Sequence, residues 1–201
     1  MTISLKVLEK KKKKEMDLYN AAFDLFVMKG INDTAIIDIV KKAGVAKGTF
    51  YLYFKDKYDV LDRIIISKSG EIIEKAYNNT KDLKYDSPED SIIDYLDNVL
   101  EELEKNDFLL KLIHKNLSWG LYKKAIDNTD TLTALDALKF AIKSLNKSNY
   151  KEDELEKIVF LIIELTSSAA YSCIVRKEPS TIGEMKPILY RMIRRMIRSS
   201  D

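Results

Sequence analysis

Histidine, cysteine and tryptophan each occur once, as His114, Cys173 and Trp119. One cysteine cannot close an internal disulfide, and one histidine with one cysteine cannot assemble an ordinary nitrogen and sulfur zinc site within a single chain. A Ser-His-Asp arrangement would depend on His114, which stands in an apolar stretch where packing is the simpler role. The six glycines, at positions 30, 44, 48, 70, 120 and 183, never cluster into a loop that could cradle a phosphate. No catalytic, metal or cofactor set remains, so the expectation is a protein that is not an enzyme. With only three prolines and few glycines, the chain lacks the punctuation of a turn-rich all-β fold. A lysine-rich start without a continuous apolar run is not a secretory signal, which makes the cytoplasm the expected location. One long apolar run exists, Ile158 to Val175, but Glu164 sits in its middle and Thr166, Ser167, Ser168 and Ser172 add polarity. A charge at mid-bilayer is costly, so this run is expected to be a helix covered on two sides and not a membrane span.

Against these absences stand 201 residues, 46% of them hydrophobic, enough for a sizeable core in one or two domains. Apolar residues recur at helical spacing along most of the length, which makes the expected fold class all-α. The net charge of +2 conceals an asymmetry: residues 1–57 hold 12 Lys and Arg against 7 Asp and Glu, whereas the remainder holds 22 against 25. A basic module on a mildly acidic body points to one end that meets a polyanion.

The stretch from Thr34 to Lys57, TAIIDIVKKAGVAKGTFYLYFKDK, lies in that basic module. From Thr34, an N-cap residue type, Ile36, Ile37, Ile39, Val40 and Ala43 trace one short helix. Gly44 supplies the left-handed exit and Val45 an apolar plug for the corner. A second short helix starts near Lys47, with Phe50 and Phe54 in phase for the core and Tyr51 and Tyr53 in the opposite phase. This is the sequence form of a helix-turn-helix. Together with the Ala21-Ala22-Phe23-Asp24-Leu25-Phe26 face, the Lys29-Gly30 exit, Asp38-Ile39-Val40 and the Lys47 to Phe54 run, it resembles the amino-terminal domain of the TetR family of bacterial transcriptional regulators over about residues 15–65.

That resemblance implies a three-helix DNA-binding domain with a basic amino-terminal arm (residues 1–60), then a larger helical effector-binding and dimerisation domain (61–201). Lys47 and Thr49 then stand where side chains reach bases and phosphates, and Gly48 allows close backbone approach. Tyr51 and Tyr53 can donate hydroxyls to phosphate oxygens, and Thr34 and Lys57 offer helix starts to the DNA backbone. The run Lys10, Lys11, Lys12, Lys13 and Lys14 is expected to be a mobile arm, or the solvated start of the first helix, that adds phosphate neutralisation. One departure is Ala46, where the family usually places a serine or threonine, so the second helix lacks a cap oxygen.

The second domain carries less signal. Pro88 near the start of a helix, then apolar spacing through Leu103, a run from Phe108 to Lys124, another from Thr131 to Leu145, one from Lys151 to Lys177 and a last stripe from Met185 to Ile197 make an all-helical body. Phe108, Leu112, His114, Trp119, Tyr122 and Tyr171 could line a pocket for a small apolar or amphipathic effector. In the family the last two helices pack against their copies, which implicates Ile158, Ile162, Leu165, Ala169, Ile188, Met192 and Arg195 in a homodimer. The expected partners are therefore a double-stranded operator, a second copy and a small molecule, with no membrane. The expected function is a repressor released from a pseudo-palindromic operator by its effector. A ligand-independent architectural protein and an activator are the alternatives.

Overall fold

In a computed structural model, residues 2–116 and 152–198 are described, and among them every regular element is helical. The chain divides into two compact units, residues 1–65 and 66–201. The division falls five residues beyond the expected boundary at 60, and both positions lie within the helix Lys57–Thr80. In order along the first unit run α1 (Thr2–Lys29), α2 (Ile36–Ala43), α3 (Lys47–Phe50) and the start of α4 (Lys57–Thr80).

The lysine run is not a separate arm. Lys10 to Lys14 lie within the 28-residue α1, all exposed. Lysine is a good helix former, and no glycine or proline interrupts residues 2–29, so propensity carries the helix through the repelling charges. Leu18, Ala21, Ala22 and Phe26 of α1 pack with Ile39 and Val40 of α2, Phe50 of α3, and Val60, Leu61, Ile64 and Ile65 of α4 as the core of the first unit.

In the second unit α4 continues, followed by α5 (Pro88–Glu104), α6 (Asp107–Asn116), α7 (Glu152–Ala170) and α8 (Ile182–Ile197). Ser87 caps α5, its hydroxyl accepting from the Asp90 amide, with Pro88 in the first turn where its missing N–H costs nothing. Thr181 and Glu184 form a full capping box at the start of α8. At the end of α7 the helix widens, and Tyr171–Arg176 adopts π-type bonding before Lys177 closes it in the left-handed region at φ 61°. Residues 157–176 are long and apolar enough to cross a membrane by length and composition. Here Val159, Ile162, Thr166, Ala170 and Cys173 form a buried stripe along this run, and α7 packs against α5, α6 and α8. The expected helix from Thr131 to Leu145, and the expected pocket residues Trp119 and Tyr122, lie outside the described residues.

Candidate nucleic-acid interface

The helix-turn-helix is built by sharp contrasts between buried and exposed side chains at adjacent positions. Gly44 takes φ 67° and ψ 32°, a left-handed conformation that a β-carbon would strain, and its N–H and that of Val45 close α2 on Lys41 and Val40 carbonyls. Three residues later α3 begins. It is one turn long, and Leu52, Tyr53 and Phe54 continue as turns on the Thr49 and Phe50 carbonyls. Four residues cannot sustain a helix alone, so packing must hold this one. Phe50 is fully buried and Phe54 nearly so, with ring centroids 5.6 Å apart, while Tyr51 packs its edge on Phe50 and remains 53% exposed. Lys47 and Gly48 are exposed, and Thr49 and Tyr53 are half-buried. Apart from the adjoining residues and the helix's own backbone, nothing lies within 4 Å of where a Gly48 β-carbon would stand, so this glycine leaves an open approach to the turn.

Ala46 is the N-cap of α3 and contributes no hydrogen bond, as expected of a residue without a side-chain oxygen. The start of α2 differs from expectation by one residue: Ala35, not Thr34, is the N-cap. Half of a capping box survives there, with the Asp38 carboxylate accepting from the Ala35 N–H at 3.2 Å. A hydrogen bond from the Lys29 ammonium at 2.6 Å, then that amide, hold the Asp38 carboxyl below its ordinary value.

Two residues assigned to phosphates are engaged inside the protein. Thr34 is almost fully buried and its hydroxyl donates to the Gly30 carbonyl at 2.7 Å. The Lys57 ammonium donates to the carbonyls of Ile31, Asn32 and Thr34 at 2.8, 3.1 and 3.0 Å, which uses all three of its protons. The α1–α2 loop presents three carbonyls without helical partners, and a lysine at the start of α4 satisfies them together. The α4 amides are likewise filled: Asp56 accepts from the Tyr58 and Asp59 N–H groups at 2.8 and 2.9 Å, and Asp59 accepts from Lys55. Lys29 and Lys42 pair with Asp38 and Asp24. Among the described residues Lys47 and Lys55 have no such partner, so they are cations left available next to the turn.

Sequence reasoning missed Arg63, the principal brace of this surface. Its guanidinium lies 4.7 Å from the Phe54 ring centroid, donates to the Tyr53 carbonyl at 2.8 Å, pairs with Glu15 of α1 at 2.9 Å and reaches Asp59 at 3.5 Å. An arginine nine residues beyond Phe54, the end of the aromatic run, was the available signal, since a planar fork can stack and donate at once. Tyr58, 53% exposed at the start of α4, was missed as well.

In the second unit Phe108 is half-buried and Leu112 buried on α6. His114 is exposed and stacks on Tyr171 with centroids 4.0 Å apart, and the Arg176 guanidinium lies 5.3 Å from the same ring. Of the residues expected at a dimer face, Leu165, Ile188 and Arg195 are exposed, and Ile158, Ala169 and Met192 are half-buried. Ile162 instead belongs to the buried stripe, and Leu161, 50% exposed, takes the outward position one residue earlier. Arg194 and Arg198 of α8 pair within the chain with Asp90 and Glu89 of α5.

Residues 18–64 match the family model for bacterial regulatory proteins of the tetR family. A fatty acid metabolism regulator protein of Bacillus subtilis is 36% identical over 75 residues, 37% of this chain and 39% of that protein, so the match spans well under half of the relative's length. The transcriptional regulator FadR from Bacillus subtilis, crystallised with stearoyl-CoA, superimposes at TM-score 0.63 with 17% identity over 89% of this chain and 96% of that one. FadR from Thermus thermophilus, a transcriptional repressor crystallised with lauroyl-CoA, superimposes at 0.65 with 17% identity over 93% and 96%. These superpositions extend the likeness of fold through both units.

Proposed function

We propose that this chain, whose amino-terminal domain belongs to the TetR family of bacterial regulators, is a homodimeric transcriptional repressor. It binds a pseudo-palindromic operator and leaves it when an amphipathic acyl compound, with long-chain acyl-coenzyme A the first candidate, binds the second unit. The observation that carries the DNA reading is the surface of α3: Lys47 unpaired, Gly48 bare, Thr49 and Tyr51 reaching outward, and both phenylalanines turned in. Lys47 and Thr49 contact bases and phosphates, Tyr51 and Tyr53 donate to phosphates, and Lys10 to Lys14 add electrostatic affinity along α1. Lys55 and Tyr58 take the phosphate role first given to Thr34 and Lys57, whose polar atoms are already bonded.

For the dimer, Ile158, Leu161, Leu165 and Ala169 on α7 and Ile188, Met192 and Arg195 on α8 recur every three or four residues, so each helix offers one continuous face to a second copy. A dimer places two recognition helices about 34 to 36 Å apart for successive major grooves, and effector binding works by disturbing that spacing. The acyl assignment draws on the ligands in the two FadR complexes and on the fatty acid regulator among the relatives.

The test is selection of an operator from random duplexes, followed by titration. Lys47→Ala should weaken binding by about tenfold, and Tyr51→Phe by less, with the dimer intact in sedimentation. Palmitoyl-CoA should release the wild-type complex. Selection of no preferred sequence, or unchanged affinity for Lys47→Ala, would defeat the DNA assignment. Preference for a sequence with no release by any acyl compound would favour the ligand-independent alternative, and an operator upstream of a promoter whose output rises on binding would favour an activator.

A further inference from the structure

Three threonines, Thr34, Thr80 and Thr166, are the buried polar side chains among the described residues. Two are satisfied in the same way, by a carbonyl four residues earlier: Thr34 bonds Gly30 at 2.7 Å and Thr80 bonds Ala76 at 2.9 Å. Thr166 stands in the middle of α7 with the same option open to it and does not use it. Its side chain is about as buried as that of Thr80, 5% against 6% exposed, yet its Oγ1 is sealed from solvent and has no hydrogen-bond partner. Leaving a buried hydroxyl unbonded is costly, and such groups are rare in finished cores. Its neighbours one and two turns away on the same stripe are Val159, Ile162, Ala170 and Cys173, all apolar or weakly polar and two of them small. A donor set alone in an apolar strip matches a ligand that is a hydrocarbon chain with one acceptor, and it mismatches a sugar or a multiply charged group.

We propose that Thr166 is a ligand-binding residue, whose hydroxyl donates to the carbonyl oxygen of a bound fatty acyl group lying along the Val159, Ile162, Ala170 and Cys173 stripe of α7. This rests on the effector reading above and assigns its polar contact. The acceptor is either the neutral carbonyl of a thioester or a carboxylate oxygen of a free fatty acid; the hydroxyl donates to both, but the carboxylate brings a charge that the apolar stripe does not offset. In the ligand-free chain the hydroxyl is an unmet donor, so the ligand gains a hydrogen bond without displacing one.

The test uses the full-length chain, thermal unfolding and direct titration with three probes: palmitoyl-CoA, palmitate, and S-hexadecyl-CoA, a thioether that keeps the chain and the nucleotide but has no carbonyl. Wild type should bind palmitoyl-CoA about five- to tenfold more tightly than the thioether. Thr166→Val, nearly the same shape without the hydroxyl, should raise the melting temperature of the free protein and erase that difference, leaving affinity for the thioether unchanged. Thr166→Ser, which restores the donor, should restore the preference. Palmitate binding as tightly as palmitoyl-CoA would identify the free acid as the source of the carbonyl. If wild type binds palmitoyl-CoA and Thr166→Val keeps the full preference over the thioether, the assignment of Thr166 is overturned while the effector reading stands. If wild type binds none of the three probes, both are overturned.

Discussion

Cations brace each of the two units from within, but they end on different partners. At the helix-turn-helix, Lys57 spans three main-chain carbonyls and Arg63 holds the Tyr53 carbonyl while also reaching Glu15. Between α5 and α8, Lys186 pairs with Asp97, Arg194 with Asp90 and Arg198 with Glu89, and the Tyr190 hydroxyl bonds Asp97 at 2.6 Å. A carbonyl has no proton to gain, so the first kind of tie persists across the pH range in which a carboxylate tie is lost. The recognition turn is thereby fixed in one geometry, as a surface that must match a rigid partner requires. The α5–α8 seam is adjustable by acid and salt, which suits the effector response proposed for this unit.

The largest expected effect breaks the first half of that contrast. Lys57→Met leaves three carbonyls of the α1–α2 loop without their donor and should destabilise the first unit by about 2 kcal/mol. Amide hydrogen exchange should quicken in α2 and α3 with α8 unchanged. Equal protection in Lys57→Met and wild type would mean that water replaces the ammonium at no cost.

A smaller effect sharpens the second half. Burial raises the Asp97 carboxyl, but the Lys186 and Tyr190 hydrogen bonds outweigh it and the net shift is downward. Asp90 is lowered by Ser87 and then Arg194. A depressed folded-state value means that these groups contribute stability above the ordinary carboxylate range near pH 4, and that the contribution is lost as pH falls through the lower folded value. Asp97→Asn should cost about 1 kcal/mol at neutral pH, a half-buried pair being partly screened, and the gap from wild type should narrow as pH falls below about 4. A gap that persists in acid would assign the loss to packing. At the alkaline end burial first, then Asp97, raise Tyr190, so its contribution is present below about pH 10 and lost above it.

The smallest change addresses α3. Ala46→Ser supplies the missing cap oxygen and should stabilise the first unit by about 0.5 kcal/mol, read as a small rise in its melting temperature. No rise would show that the α3 start is held by Phe50 and Phe54 alone.

The recognition turn was legible because its signals are local. Gly44 fixes a left-handed exit within one residue, and the opposite phases of Phe50 with Phe54 and of Tyr51 follow from spacing over five residues. The roles of Thr34 and Lys57 were not legible, since a hydroxyl or an ammonium at a helix start can serve a phosphate or a carbonyl; Thr34 turns back to Gly30 four residues earlier, and the choice for Lys57 depends on a loop more than twenty residues away. The effector residues fared differently again. Leu112 and Tyr171 read as aromatic and apolar stretches, but periodicity cannot say that His114 would stack on Tyr171 from another helix.

By itself the amino-acid sequence determined the helical class, the position of the turn, the Ser87 cap that starts α5 and the capping box that starts α8, and the basic end of the chain. Each depends on residues within about a turn of one another, where propensity and spacing act directly. Tertiary structure decided which cations are already bonded, that Ile162 faces inward and Leu161 outward, and that Thr166 alone of three buried threonines keeps an unbonded hydroxyl. Those outcomes depend on what packs across a helix face, and two residues distant in the chain carry no mark of being neighbours until the core closes around them.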